Sequence, residues 1–326
     1  PVLATTTPAF SISTTSAVVA GNVTDEGMTQ VSARGFVYGT SAGSSTYSIT
    51  TGSGAGSFTT TLTGLTEGTN YYFRPFATNA QGISYGTAEQ TFTTTFSAPN
   101  IVTNGLVLNL DAGNPSSYNG NGNTWTDLSG SGNNGTLVGG VTYNSSNQGS
   151  LVFNGNSSGT TDSYVNLPAT TDFAFGSGDF TVEMWIYANS GNNVSTFISI
   201  NSSSGYAALR LENYLSNNLD AFHSSDGASH LIGKMSTSIT ANKWTHLVFS
   251  RINGNAKIYL DGVEKLSYAL VGSLVASGNS RIGSLPGFTD RNHSGNIAIT
   301  RIYKGKGLTS TEVTTQFDLL KSRFGL

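Results

Sequence analysis

The chain has 326 residues, no cysteine and a formal net charge of −3 at pH 7. Only 10% of its residues are charged, against roughly 25% in an average soluble domain. It has no Lys/Arg cluster and no apolar run of about 20 residues, which argues against a nucleic-acid partner and against membrane insertion. The missing cysteines exclude a disulfide framework, and with the low charge they favour an extracellular protein.

Residues 1–96 predict seven short strands separated by polar turns. Polar and apolar side chains alternate at 16–23 and 30–38, as they do in the strands of a sandwich. The segment 62–74 resembles part of a fibronectin type III module, in which a leucine precedes the turn and a tyrosine lies on the next strand. That resemblance makes Tyr71 the tyrosine of a tyrosine corner. It also implies a spacer domain, similar to repeats of bacterial surface proteins.

The predicted linker covers residues 97–104, where the hydrophobic periodicity is weak and the C-terminal end of the segment is polar. The second domain then extends over 105–326. It opens with a predicted strand whose apolar residues, Leu106, Leu108 and Leu110, lie on one face and point to the core.

Residues 243–265 predict a β-meander. Side chains alternate between two faces over 244–251, which is typical of a half-buried strand. Residues 253–255 offer the positive-φ positions of a tight turn, and the dipeptide Asp261-Gly262 suits a type I′ hairpin.

The pattern W-x-H-L-x-F-x-R followed by I-Y-L-D-G in this meander resembles the central hairpin of laminin-G-like, concanavalin A-like jelly-roll domains. Residues 179–187 and 295–303 resemble two further strands of that family. The resemblance covers roughly 101–326. Together with the resemblance of the first domain, it implies an all-β protein, a fibronectin type III-like sandwich plus a concanavalin A-like jelly-roll sandwich, as in bacterial surface adhesins and phage fibres.

The last segment changes period and predicts a short C-terminal helix. Thr309-Ser-Thr-Glu312 is a capping-box pattern, and apolar residues then recur at helical spacing up to Phe324. We expect this helix to pack on the sandwich and to have no function of its own.

Residues 125–136 resemble a Gly-rich segment that often lies beside a calcium ion in laminin-G-like domains. Calcium binds six to eight oxygens, and carboxylates and amides in a flexible loop can supply them. The alternative is that these residues cap turns and satisfy backbone donors. Related domains often have an acidic residue where this chain has Ala298. The candidate calcium ligands are Asp111, Asp127, Asn133 and Asn134.

Motifs for catalysis are missing from the sequence. Glucanases of the jelly-roll fold have two glutamates around an aspartate on one strand, E-x-D-x-x-E, whereas residues 180–187 contain the single acid Glu183. The chain has no G-x-S-x-G elbow and no spaced His/Cys set for zinc. Of its four histidines, His246 is expected to be partly buried and hydrogen-bonded, and the others to lie near loops. We therefore predict a protein that is not an enzyme.

A glycan site is the functional hypothesis with the most support. Sugars are bound by aromatic faces together with amides and carboxylates on loops, and Trp185 and Trp244 are expected in the core instead. The alternative is that Asn/Gly/Ser-rich loops only keep the hairpins soluble. The candidate ligand-binding residues are Asn213, Tyr214, His223, Asp226, Arg281, Asp290, Arg291 and His293.

The sequence predicts non-enzymatic adhesion or glycan binding at a bacterial cell surface or virion surface. The second domain would contact a glycan or a cell-surface protein. One alternative is a structural subunit of a surface filament or phage fibre, bound to other copies or modules of a longer assembly. Another is a pair of accessory modules of a larger secreted hydrolase. An aromatic pocket favours the lectin, and an exposed strand edge favours assembly.

Overall fold

The structure is a computed structural model. It describes residues 1–4, 7–95, 100–155, 162–190, 194–203, 206–214, 218–224, 231–274 and 278–326, and of residues 201–203, 206, 214, 218 and 231–238 it describes the backbone alone. The chain divides into two compact units, Pro1–Ala98 and Pro99–Leu326, and the division lies inside the predicted linker. No helix in the described ranges is long and apolar enough to cross a membrane.

The first unit is built from two antiparallel sheets. Its described residues form eight strands, one more than predicted, and the seventh and eighth both pair with the sixth. Their order is β1-β2-β5 in one sheet and β4-β3-β6-β7 in the other, with β8 also beside β6. The strands are β1 (Val2–Leu3), β2 (Ser16–Asp25), β3 (Ala33–Gly39), β4 (Tyr47–Gly52), β5 (Gly56–Thr63), β6 (Asn70–Asn79), β7 (Gly82–Tyr85) and β8 (Gln90–Thr93).

Tyr71 makes the contact expected of a tyrosine corner. Its ring is buried, and its hydroxyl accepts a 3.0 Å hydrogen bond from the backbone N–H of Thr66. Leu62 and Leu65 lie in the same core. The fibronectin type III-like assignment of the unit as a whole stays a prediction.

The second unit is a sandwich of two large antiparallel sheets and one C-terminal helix. Sheet A has the order β10-β11-β14-β23-β16-β17-β18-β19, and sheet B the order β12-β13-β24-β15-β20-β21-β22, with β9 also beside β24. The elements are β9 (Leu106–Asp111), β10 (Thr124–Trp125), β11 (Gly135–Val138), β12 (Thr142–Asn144), β13 (Ser150–Asn154), β14 (Tyr164–Leu167), β15 (Phe180–Ala188), β16 (Val194–Ser203), β17 (Tyr206–Tyr214), β18 (Asn218–His223), β19 (Leu231–Ser238), β20 (Trp244–Ile252), β21 (Asn255–Leu260), β22 (Val263–Ala269), β23 (Asn279–Ile282), β24 (Ser294–Lys304) and α1 (Ser310–Leu320).

The predicted turns and helix cap are confirmed. Asp261 and Gly262 both have positive φ, 51° and 76°, as a type I′ hairpin requires. Thr309 caps α1, and the Glu312 side chain completes the capping box. The helix continues into a 3₁₀ turn at Lys321–Phe324.

Strand β20 is buried on both faces, so the prediction of a half-buried strand is wrong. Leu247 and Phe249 face the sandwich interior, as expected. The opposite face is covered by the C-terminal helix and the turn after it, and Trp244 packs there against Phe324. Alternation locates the two faces of a strand but does not identify what covers each face.

Leu106 also departs from its prediction. Leu108 and Leu110 belong to the main core, but the register shifts at the pairing of β9 with β24, and Leu106 instead packs against the cluster of Tyr303 and Val313.

Candidate ligand-binding site

The outer face of sheet A, the face turned away from sheet B, is polar and rich in arginine. On β17, Leu209 and Leu211 point into the core, so alternation places Arg210 and Glu212 on the outer face. Both charged residues are nevertheless buried, with 4% and 0% of their surface exposed. Because a buried charge must be paired, this face is a built polar layer and not an ordinary solvated surface.

Glu212 is the centre of this layer. Arg210 Nε lies 3.0 Å from its Oε2, and Arg291 Nη1 lies 3.1 Å from its Oε1. Thr196 Oγ1 donates a further hydrogen bond to Oε2 over 3.2 Å. Burial raises the pKa of the Glu212 carboxyl, and the two guanidinium groups counteract that shift. The pairing holds Arg291 against the sheet, with a fifth of its side chain exposed.

Arg281 on β23 lies in the same cross-strand row as Arg210. Arg281 pairs with Ser199 on β16, and Ser199 pairs with Arg210, so the two arginines are about 10 Å apart. The guanidinium of Arg281 stacks on Tyr164, 3.9 Å from the ring centroid. No carboxylate of the described residues forms an ion pair with Arg281, and its Nε is buried without a hydrogen-bond partner.

The loop of residues 283–292 lies beside this face and presents an aromatic ring. The Ser199 hydroxyl donates to Ser284 O over 2.9 Å, and Asn292 Nδ2 donates to Asp162 Oδ1 over 2.8 Å. Phe288 is 37% exposed, and the guanidinium of Arg291 lies 5.2 Å from its ring centroid. The loop is therefore held by hydrogen bonds near both of its ends, and it exposes an aromatic ring next to a cation.

We define the Arg281 face by Tyr164, Arg281, Phe288 and Arg291. The Arg281 guanidinium can donate two parallel hydrogen bonds to a carboxylate or sulfate, and the rings of this face offer apolar surface for stacking.

The structure divides the predicted ligand-binding residues. Arg281 and Arg291 lie on the Arg281 face, and Asp290 is exposed in the adjoining loop. Asn213, His223 and His293 are buried, with exposures of 1%, 3% and 0%, so their expected position in surface loops is wrong, and their role as ligand-binding residues stays a prediction. The side chain of Tyr214 and the whole of Asp226 lie outside the described residues.

His293 is buried because its ring packs between two others. Phe153 and Phe197 lie 5.7 Å and 5.3 Å from it, and Ser195 Oγ is 2.7 Å from its Nδ1. Burial lowers the pKa of His293 to about 4. A serine beside a histidine is part of a nucleophilic site elsewhere, but Ser195 is only 1% exposed, so this pair contributes to packing.

The Gly-rich segment is organised by Asp127. Its Oδ1 accepts hydrogen bonds from the backbone N–H groups of Asn109 and Ser129, at 2.8 Å and 2.9 Å. Its Oδ2 accepts from the Ser129 hydroxyl at 2.8 Å and from the Asn133 N–H at 2.9 Å. Asn134 Oδ1 in turn accepts from the Asp127 N–H. The carboxylate thus already has four protein donors.

The predicted calcium ligands do not fit a calcium ion in this arrangement. Asp111 is paired with Arg323 Nη1 at 2.8 Å, and Asn133 donates its amide to Val107 O and to Asp172. The described residues contain no cluster of three or more His, Cys, Asp or Glu side chains that suits a metal. The geometry agrees with the alternative in which these side chains satisfy backbone donors.

Glu212, Arg210 and Tyr164 were missed by the sequence analysis. The signal for the first two was the string L-R-L-E within a strand, because charged residues alternating with leucines indicate a strand with a polar face. Tyr164 carried no such signal, since its importance comes from cross-strand neighbours.

Comparison with known proteins identifies the fold. Residues 158–314 match the model of a family described as the concanavalin A-like lectin/glucanases superfamily. The chain is similar to the binding domain of Paraclostridial Mosquitocidal Protein 1, with a TM-score of 0.53 and 16% identity, over 65% of this chain and 52% of that one. It is also similar to the binding domain of botulinum neurotoxin serotype G, with a TM-score of 0.51 and 21% identity, over 67% and 51% of the two chains.

A third similar structure is that of botulinum neurotoxin type C, whose cell entry depends on interaction with two ganglioside molecules. Its TM-score is 0.52 at 18% identity, over 69% of this chain and 53% of that one. The chain spans about half the length of these solved structures. No curated protein sequence matches it significantly. The likeness establishes the fold, a concanavalin A-like jelly-roll sandwich.

Proposed function

Since residues 158–314 match a family of lectin and glucanase domains, we propose that the second unit is a non-catalytic module that binds carbohydrate through the Arg281 face. The observation that carries this proposal is Arg281 itself, a half-buried guanidinium stacked on Tyr164 with no acidic partner among the described residues. A cation left unpaired on a polar sheet is available for an anionic group of a ligand.

The chemistry of the face favours an acidic glycan. Arg281 can hold a carboxylate or sulfate by two parallel hydrogen bonds, and the exposed ring of Phe288 can stack on the apolar face of an adjacent sugar ring. Because Arg291 is anchored by Glu212, it would help to position the ligand and would present only part of its positive charge to it. The toxin domains of similar fold are binding domains, and one of those toxins interacts with gangliosides. This likeness supports a carbohydrate or receptor ligand for the present fold.

An extracellular adhesion role, at a bacterial cell or virion surface, follows from this proposal together with the low charge and the absence of cysteine. The first unit would act as a spacer of fibronectin type III type. A binding role needs no catalytic pair, and Glu183, the single acid predicted on β15, is fully buried.

A glycan array that includes sialylated, uronate-containing, sulfated and neutral glycans tests the proposal. The full chain should bind acidic members, and Arg281→Gln should lose that binding. Arg74→Gln is the matched control, because Arg74 also stacks on a tyrosine, Tyr85 at 4.5 Å, but lies in the first unit. Binding that survives in Arg281→Gln, or is lost equally in Arg74→Gln, would overturn the assignment of the site.

A second candidate function is assembly through β5. This edge strand of the three-stranded sheet, Gly56–Thr63, contains no charged residue, whereas β22, at the edge of sheet B, carries Glu264 and Lys265. Edge strands are usually protected by charges. Sedimentation of the full chain and of Thr61→Lys tests this role. Self-association that Thr61→Lys abolishes and Thr95→Lys does not would support assembly, and a monomer at all concentrations would contradict it.

A further inference from the structure

A pocket lies on the outer face of sheet B, the sheet opposite the one that carries the Arg281 face. It has a volume of about 250 Å³. Its floor is a row of side chains on three adjacent strands, since Asn296 on β24 pairs with Tyr187 on β15, and Tyr187 pairs with Trp244 on β20. The turn of residues 144–150 forms its wall.

The pocket lies beside the aromatic cluster that the 3₁₀ turn after α1 forms on this face. Trp185, two residues before Tyr187 on β15, is fully buried, and its ring stacks on that of Phe324 with 4.1 Å between the centroids. Phe324 also touches Trp244, at 4.7 Å between centroids, but Tyr187 beyond it is only partly buried. Tyr187 therefore packs at the margin of this cluster and keeps part of its ring accessible.

The aromatic floor is held rigidly. Trp244 Nε1 donates to Asn147 Oδ1 over 3.2 Å, and its ring meets Tyr187 edge to face at 5.7 Å. Asn147 is itself fixed, because its Nδ2 donates to Arg323 O over 2.9 Å. A ligand ring could stack on Tyr187 without any rearrangement of the wall.

Several polar atoms around the floor are unused. Among the described residues, no hydrogen bond engages the Tyr187 hydroxyl, the Asn144 Nδ2 or the Asn296 Oδ1. The other amide atoms are occupied, since Asn144 Oδ1 accepts from the Ser146 N–H and Asn296 Nδ2 donates to Ser150 Oγ. The free atoms include an amide donor, a carbonyl acceptor and a hydroxyl that can do both.

We propose that this pocket binds one neutral sugar residue. Its lining of two aromatic, three asparagine and two serine residues contains no charge, so it has nothing to neutralise an acidic group. Vicinal hydroxyls need donors and acceptors side by side, which the free atoms supply, and the C–H face of the sugar can stack on Tyr187. Since small-molecule pockets usually have volumes of roughly 300–1,000 Å³, its size suits a single residue.

The consequence is a module with two unlike sites. The Arg281 face lies on the outer side of sheet A and this pocket on the outer side of sheet B, so the two ligands would approach opposite faces of one sandwich. Such a module could bridge two glycan chains and gain avidity without further contacts. The pocket proposal does not depend on the Arg281 face.

Tryptophan fluorescence reports on the pocket selectively. Of the three tryptophans, Trp125 and Trp185 are fully buried and only Trp244 lines the pocket. The full chain is titrated with cellotriose, maltotriose, mannotriose, xylotriose and arabinotriose, and the emission and its quenching by acrylamide are followed. We expect at least one neutral trisaccharide to change the emission and to protect it from the quencher.

Two variants locate the binding. Tyr187→Ala should weaken it about tenfold or more, and Tyr187→Phe, which keeps the ring against Trp244, should weaken it less. Tyr47→Ala, an exposed tyrosine of the first unit, should have no effect. The proposal is overturned if no trisaccharide of the panel changes the emission, or if binding is unaltered in Tyr187→Ala. A sugar that is lost in Arg281→Gln but retained in Tyr187→Ala belongs to the other site.

Discussion

Gln316 on the C-terminal helix donates a hydrogen bond from its Nε2 to Oε2 of Glu183, in the middle of sheet B, over 2.8 Å. The other carboxylate oxygen of Glu183 lies 3.0 Å from both His246 Nε2 and Arg301 Nη1. These four side chains are at most 1% exposed. Burial alone would raise the pKa of Glu183, but the guanidinium of Arg301 and the hydrogen bond of His246 hold it below its usual value. The helix is thus attached to the sheet through a buried ionised carboxylate.

Replacing Glu183 by glutamine should destabilise the second unit. The substitution leaves Arg301 buried without a counter-ion, and breaking a buried pair in this way costs about 3–5 kcal/mol. Urea unfolding measures the change. Glu264→Gln is the control, because Glu264 pairs with Lys257 at the surface, and it should cost at most about 1 kcal/mol. Equal losses in the two variants would contradict the role given to Glu183.

His293 should make the protein less stable in mild acid. Its folded pKa of about 4 lies below the value of about 6.5 in an unfolded chain, so between these pH values protons bind the unfolded state preferentially. The contribution of His293 to the free energy of unfolding is therefore complete above pH 6.5, and it falls by about 3 kcal/mol as the pH drops towards 4. His293→Gln should show a smaller decline over this range. If the curves of unfolding free energy against pH are parallel for the parent and for His293→Gln, the lowered pKa assigned to His293 is refuted.

Asp127 should stabilise its loop without a metal. Asp127→Asn removes a charged acceptor from four protein donors, and we expect a loss of about 1–3 kcal/mol that is the same in EDTA and in millimolar calcium. Thermal unfolding under both conditions makes the comparison. A calcium-dependent rise in Tm that the variant lacks would instead support the calcium site predicted from the resemblance.

The tyrosine corner of the first unit should respond to the loss of one hydroxyl. Tyr71→Phe leaves the Thr66 N–H without its acceptor, and a destabilisation of about 1 kcal/mol is expected. Tyr72→Phe, on the opposite face of the same strand, should change stability little. If both variants unfold at the same urea concentration as the parent, the hydrogen bond contributes nothing.

Local patterns predicted the elements of this fold well. The alternation in β20, the Asp261-Gly262 turn and the Thr309 cap each depend on residues close in sequence, and each is present. What covers a strand depends instead on distant residues. Trp185 is enclosed by Phe324, and no local pattern contains that pairing.

The candidate site was predictable only in part for the same reason. Arg281 and Arg291 were found because polar and charged residues in predicted loops are exposed on average. His293 looks equivalent in the sequence, but it is buried between Phe153 and Phe197, which other strands supply. The unpaired state of Arg281 emerges only when its cross-strand neighbours are known.

Titration calorimetry of the full chain with an acidic oligosaccharide and its neutral counterpart tests the central claim most directly. Sialyllactose and lactose form one such pair, and oligogalacturonate and its carboxyl-reduced form another. We predict that the acidic member of at least one pair binds, that the neutral member binds at least about tenfold more weakly at the Arg281 face, and that Arg281→Gln removes the difference. Equal binding of both members of each pair, or a preference for the acid that persists in Arg281→Gln, would contradict the account.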